Sequence, residues 1–271
     1  MTEKKIHCRA AGYGAPTLLF VHGFCCASED WDSLIQRLAS RFHCVTVDLP
    51  GHGATPGDEA SMKLAGAAVN EAKRRFSQSP VILIGHSLGT KTIREAYRQD
   101  PDGVAGLILI DGSLYVTDRE TMLSNARAAV TNGMEPFLRG LFSRMFEEPA
   151  PQDKLDPLIA RALSFDPDFT RDLFLDSVDW DTRFAIPTLT GLKIPAMVIQ
   201  ATSFDSQFRW KSLAKGESTE LINRMSELVS DFEAVHIPNA SHFVMDDAPD
   251  QTSAAITRFA NHALRKWHAP S

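Results

Sequence analysis

The chain predicts an α/β fold, a doubly wound and mostly parallel sheet. Three observations carry that expectation: apolar runs too continuous to leave one face wet, amphipathic stretches of helix length between them, and the alternation of the two along the chain. In chain order the predicted strands are 17–21, 44–47, 81–84, 107–110 and 196–199, with a weaker sixth at 232–237. The helix period is plain in two places. Trp31, Leu34, Ile35, Leu38 and Ala39 fall on one stripe, as do Ile256, Phe259, Ala260, Ala263, Leu264 and Trp267. One segment breaks the rhythm. Between Asp111 and Ile194 the patterns are helical, with helices predicted over 134–146 and 155–165, and Pro149, Pro151, Pro157, Pro167 and Pro187 punctuate them. This segment reads as a helical insertion over one end of the sheet.

Composition narrows the class further. The hydrophobic fraction of 44% and charged fraction of 23% exclude a disordered, collagen-like or coiled-coil chain. At 271 residues the chain needs neither disulfides nor a structural metal to hold a core. The formal net charge is −6, and the compact basic cluster Lys73-Arg74-Arg75 reads as a solvated helix face, so nucleic acid is not an expected partner. The cysteines, Cys8, Cys25, Cys26 and Cys44, lack zinc or redox spacing and read as small buried thiols of a reducing compartment. The first residues, Met1-Thr2-Glu3-Lys4-Lys5, lead into no apolar signal region, and no run approaches membrane-spanning length. A cytoplasmic location is therefore expected. Nothing in the pattern sets an oligomeric state.

The motif that carries chemistry is Gly85-His86-Ser87-Leu88-Gly89. It joins the 81–84 strand to an amphipathic stretch with Ile93, Ala96 and Tyr97 on one side, the strand–turn–helix context in which G-x-S-x-G presents a nucleophilic serine. A Cβ at either flanking glycine would collide with a neighbouring strand or helix, and the helix N-terminus favours negative charge near the serine oxygen. Acyl transfer also needs two N–H donors for the forming oxyanion. The amide of Leu88 is one candidate. The amide of Phe24, in the His22-Gly23-Phe24-Cys25 turn after the first predicted strand, is the other.

These segments, together with Asp48-Leu49-Pro50-Gly51-His52-Gly53, resemble the α/β-hydrolase fold family over nearly the whole chain except the insertion. The resemblance implies a helical cap after the family's sixth sheet strand: residues 112–193 as lid, and 1–111 with 194–271 as core. It also implies the chain order serine, acid, histidine. Of the nine histidines, His242 in Asn239-Ala240-Ser241-His242-Phe243 stands where the family's base would lie; the others sit at strand starts, in turns, in a strand, on the last helix or in the tail. Two acids compete. Asp111 directly follows the 107–110 strand, as in those members, some dehalogenases among them, whose acid follows the sixth strand. Asp205 follows the next strand, but Ala201-Thr202-Ser203-Phe204-Asp205 lacks the family's glycine there and is one residue too long. Asp111 is preferred, with Asp205 the alternative.

The expected function is a serine hydrolase acting on a small or medium carboxylic ester, thioester or lactone through an acyl-enzyme. Carbon–carbon or amide bond hydrolysis with the same triad is the alternative, and a non-catalytic ligand-binding member is a further one. No metal or organic cofactor is implied. The expected partner is a small molecule with an apolar acyl part, received by insertion residues among Phe137, Leu141, Phe142, Met145, Phe146, Leu163, Phe165, Phe169, Phe174 and Trp180. Arg171, Arg183 and Arg209 read first as surface charges and second as partners for a substrate carboxylate.

Overall fold

The apolar runs assemble into one seven-stranded sheet. The computed structural model describes residues 5–76, 80–114, 118–146, 150–204, 210–214 and 216–268. In chain order the elements are β1 (Cys8–Ala11), β2 (Thr17–Val21), α1 (Asp32–Leu38), β3 (His43–Val47), α2 (Met62–Phe76), β4 (Val81–His86), α3 (Leu88–Gln99) and β5 (Val104–Ile110). Then follow α4 (Arg119–Ala129), α5 (Met134–Ser143), α6 (Gln152–Leu163) and α7 (Pro167–Thr190). The chain returns through β6 (Ala196–Gln200), the short β7 (Thr202–Phe204) and β8 (Trp210–Ser212), α8 (Glu220–Leu228), β9 (Phe232–His236), α9 (Val244–Asp247) and α10 (Pro249–Trp267).

The sheet order is β1-β3-β2-β4-β5-β6-β9, with β1 antiparallel to β3 and every other neighbouring pair parallel. Strands β2, β4, β5 and β6 are buried at every residue, which is why their sequences show no alternation. The weaker pattern of β9 reflects its place at the sheet edge, where it is only half-buried. Strand β1 was not expected. Cys8-Arg9-Ala10-Ala11 has neither β-branched nor aromatic residues, and its extended form comes from pairing with β3. The β7–β8 hairpin is likewise a product of pairing rather than of pattern.

Helices α2 and α3 pack together on the sheet, and α1 packs on α10. The expected stripes face the core through Trp31, Leu34 and Leu38, and through Ile256, Phe259, Ala260 and Ala263. Trp267, expected on the second stripe, is instead 43% exposed at the end of α10. Lys73 also departs from the solvated reading. It is buried, with Nζ donating to the carbonyls of Asp100 and Asp102 at 2.6 and 2.8 Å.

The interruption after β5, the strand the resemblance counts as the sixth, contains α4 to α7 and, among the described residues, no strand. The predicted 134–146 helix ends earlier, at Ser143, and the predicted 155–165 helix starts earlier, just after Pro151. Pro167 opens α7 within its first turn, where a missing N–H costs nothing, while Pro157 and Pro187 lie inside helices instead of ending them. Helix α7 packs on α2, α3, α4 and α5, so it ties this segment to the sheet layer. Pro149 lies outside the described residues. No helix among the described residues is long and apolar enough to cross a membrane.

The strand order itself locates a crevice. From β2 the chain moves outward to β3, and from β4 it moves the opposite way to β5. The carboxyl ends of β2 and β4 therefore flank a topological switch point, the place where open α/β sheets bind ligands. His22-Gly23-Phe24 leaves one of those ends, and Ser87 leaves the other.

Candidate active site

Ser87 sits between β4 and α3 with φ 53° and ψ −117°, a conformation that costs a non-glycine residue about 1–3 kcal/mol. Its neighbours hold it there. The Ser87 N–H donates to the Ile110 carbonyl at 3.0 Å, and the Ser87 carbonyl accepts from the N–H and Oγ1 of Thr90 at 3.0 and 2.7 Å. The flanking glycines are required by space. A Cβ on Gly85 would lie 2.3 Å from the Gly89 carbonyl oxygen, and one on Gly89 would lie 2.2 Å from the Val21 carbonyl oxygen. A Cβ on Gly23 would come within 3.2 Å of the Ser87 Cβ, so the turn carrying Phe24 closes directly on the serine.

At Gly85 and Gly89 the atoms that a Cβ would meet are all backbone and cannot relax by a rotamer change. Gly89→Ala is expected to destabilise the fold by about 1–3 kcal/mol. A thermal melt should register this as a fall in Tm of several degrees.

Asp111 stands at the carboxyl end of β5 with φ 45°, its N–H donating to the Ile199 carbonyl at 2.8 Å. Four donors converge on its buried carboxylate. Oδ1 accepts from the N–H groups of Ala201 and Thr202 at 2.8 and 2.9 Å. Oδ2 accepts from the Thr202 hydroxyl and from Nδ1 of His242, the latter at 2.7 Å. Asp205 lies outside the described residues.

His242 is 1% exposed. Because Nδ1 faces a carboxylate it carries the proton, which leaves Nε2 as the basic nitrogen of the neutral ring. The backbone of this residue is clamped on both sides. Its N–H donates to the Met145 carbonyl at 3.0 Å, and its carbonyl accepts from Nε2 of His86 at 2.9 Å. Burial holds the His86 pKa well below the usual imidazole value, with the nearby His242 adding to the effect. A neutral His86 is the form that donates from Nε2 while burying no charge. No spacing in the sequence signals this role; His86 reads there only as the residue before the serine.

The remaining motif residues are structural. Burial also lowers the pKa of His22, and that of His52 to about 3. His22 accepts from the Leu49 N–H at Nε2 (3.1 Å) and donates from Nδ1 to the Gly23 carbonyl (2.8 Å), tying the 48–53 turn to the Phe24 turn. Asp48 accepts from the N–H groups of Ser28 and Ala54. Burial raises the thiol pKa of Cys8 to about 11 and of Cys44 to about 12, and pushes Cys25 and Cys26 up as well, so none is poised as a thiolate.

Ser87, Asp111 and His242 line one cavity of about 80 Å³, together with Phe24 and Leu88. Leu141, Met145, Phe174 and Val178, from the helical interruption, also line it. The other aromatic residues named from that segment do not line this cavity; the indole of Trp180, for example, donates to Glu95 Oε2 at 2.8 Å. Arg171 pairs with Asp168 and Asp172, and Arg183 with Asp179, both half-exposed and away from the cavity lining. Arg209 lies outside the described residues. Among the described residues no group of three or more His, Cys, Asp or Glu side chains is placed to hold a metal ion. A hydroxyl at a strained turn, a buried imidazole and a carboxylate bonded to it can together perform nucleophilic acyl transfer.

Known proteins resemble the chain in sequence and in fold. The chain is 27% identical over 278 residues to a 2-(acetamidomethylene)succinate hydrolase of Mesorhizobium japonicum, covering 94% of this chain and 91% of that one. An esterase of Exiguobacterium antarcticum shares the fold with a TM-score of 0.76 at 14% identity, covering 94% and 95% of the two chains. An enol-lactonase of Burkholderia xenovorans LB400 does so with 0.72 at 17%, covering 94% and 96%. The model of the alpha/beta hydrolase family matches residues 18–255. With the sheet, the strained serine turn and this match spanning most of its length, the chain belongs to the alpha/beta hydrolase family and is an enzyme of that class.

Proposed function

We propose that the protein is a serine hydrolase that cleaves small carboxylic esters, or the related thioesters and lactones, through an acyl-enzyme. The observation that carries this reading is the 2.7 Å bond between Asp111 and His242, made at the wall of the cavity that also holds Ser87. In the first half-reaction His242 Nε2 takes the Ser87 proton as Oγ bonds to the carbonyl carbon. The Phe24 and Leu88 amides receive the oxyanion. The tetrahedral adduct collapses, the carbon–oxygen bond to the alcohol breaks, and the proton on His242 goes to the departing oxygen. Water then repeats the sequence on the acyl-enzyme, releasing the acid and restoring Ser87. Asp111 holds the imidazole in the reactive tautomer and offsets its charge while it carries the extra proton.

Residues 112–193 act in this reading as a lid over the core of 1–111 and 194–271, with α5 and α7 supplying the apolar wall. The small cavity favours short acyl chains, since one water alone needs about 10–15 Å³ of such space. Amide hydrolysis is the second reading, favoured by the acetamido group in the name of the Mesorhizobium relative's substrate. A panel of p-nitrophenyl esters from acetate to octanoate, run beside fluorophosphonate labelling, tests the proposal. The expected result is hydrolysis that falls with chain length, and labelling of Ser87. Folded protein that neither labels nor cleaves any ester would overturn it in favour of a binding function.

A further inference from the structure

The segment after β6 lacks the family's glycine and runs one residue long before Asp205. In the fold its first residues turn toward the end of β5 instead. Of the four donors on the Asp111 carboxylate, three come from here: the N–H groups of Ala201 and Thr202 on Oδ1, and the Thr202 hydroxyl on Oδ2 beside His242 Nδ1. A carboxylate offers about four lone-pair sites, and these donors use them all. Asp111 also needs holding, because its φ of 45° is strained for a residue with a Cβ.

The last residue of β6 ties the two strand ends together. The parallel ladder pairs Ile110 with Ile199 and goes no further, its final backbone bond running from the Asp111 N–H to the Ile199 carbonyl. Beyond it the side chain of Gln200, 1% exposed, bridges the two exits. Its Nε2 donates to the Gly112 carbonyl at 3.0 Å and to the Thr202 carbonyl at 2.6 Å. One bond holds the residue after Asp111, and the other holds the residue that donates to Asp111 twice. Oε1 has no hydrogen-bond partner among the described residues. Turning the amide over would set that oxygen against two carbonyl oxygens, so the bonding itself fixes its orientation. A buried acceptor without a partner is costly, and an apolar side chain of the same shape would avoid that cost. What glutamine adds over such a side chain is its two donated hydrogens.

We propose that Gln200 and Thr202 are positioning residues for the acid, and that the exit of β6 holds the carboxylate instead of supplying it. This rests on the reading of Asp111 as the partner of His242. Gln200 sets the spacing of the two exits. The Thr202 hydroxyl sets the rotation of the carboxylate, so that the remaining lone pair of Oδ2 faces Nδ1. Both act through Asp111, which aims the imidazole at Ser87.

Two variants test this. Gln200→Met keeps the side-chain length and removes both donors. Thr202→Val keeps the shape and the backbone groups and removes only the hydroxyl. On p-nitrophenyl acetate kcat should fall by about ten- to a hundredfold in the first, the scale of a misaligned catalytic group, and by about tenfold in the second, with KM little changed in both. Thr202→Ser should restore most of the rate. Proton NMR follows the Asp111–His242 bond without turnover. The Nδ1 proton should resonate far downfield in the wild type, assigned by its absence in His242→Gln. It should shift or broaden in Gln200→Met and Thr202→Val but not in Thr202→Ser. Should Gln200→Met fail to fold, Thr202→Val decides alone, since it removes no backbone bond. Wild-type kcat in the folded variants, or a lost rate with the resonance unmoved, overturns the proposal. If the resonance moves as expected while the wild type cleaves no ester, the positioning stands and the hydrolase reading falls.

Discussion

Ser87→Ala is expected to lower kcat on a short-chain ester by about 10⁶-fold, the loss that removing the nucleophile of such a triad produces. The loss is this large because the remaining groups act only through Ser87. Without Oγ, His242 has no proton to accept and Asp111 no cation to offset. A residue of about 10³–10⁴-fold over water should survive, since the Phe24 and Leu88 amides and the cavity still bind the carbonyl. Stability should change little. Alanine keeps the Cβ and the same positive φ, and the bonds that hold the turn are made by the Ser87 backbone to Ile110 and Thr90. Steady-state rates and a thermal melt on one preparation separate the two effects. A variant with native Tm and a rate within tenfold of wild type would sink the nucleophile assignment.

The parts of this molecule that were legible in the sequence are those that local physics forces. Strands β2, β4, β5 and β6 lie between helix layers, so each must be apolar on both faces and announces itself as an unbroken run. The serine turn is legible because glycine alone fits where the strand and helix backbones touch. What was not legible depends on contacts across the chain. The choice between Asp111 and Asp205 turns on where the loop carrying His242 passes, 131 residues beyond Asp111. Thr202 reads only as part of the segment that follows the 196–199 strand, yet its hydroxyl and N–H both donate to the Asp111 carboxylate. Lys91, Arg94 and Glu95 are charged residues of an amphipathic helix, and all three are buried. They are buried because α7 lies across α3, and no period within α3 encodes that cover. Arg171 and Arg183 keep their charges half-exposed on the insertion, as their reading as surface charges expects, whereas Lys91 and Arg94 are buried on the core helix beneath it.

Asp111→Asn is expected to lower kcat by about 10⁴-fold and to leave KM much less affected. The bonding around the carboxylate explains why an isosteric change is so damaging. All four neighbours, His242 Nδ1, the Thr202 hydroxyl and the N–H groups of Ala201 and Thr202, donate. An asparagine offers one accepting oxygen and one NH₂ that can only donate. If the oxygen turns toward Ala201 and Thr202, the NH₂ meets His242 Nδ1 and drives the ring to the tautomer whose Nε2 already carries a proton. If it turns toward His242, the NH₂ is pressed against two backbone N–H groups, leaving buried donors unpaired at about 1–3 kcal/mol each. Either orientation also removes the negative charge that the imidazolium needs. The variant should therefore lose both rate and a few degrees of Tm, a double signature that a remote surface change does not produce. Asp205→Asn, made in parallel, should stay within about threefold of wild type in kcat, the scatter typical of a change away from the reacting groups. A collapse confined to Asp205→Asn would transfer the acid's role to the segment after β7 and recast the Asp111–His242 bond as a structural tie.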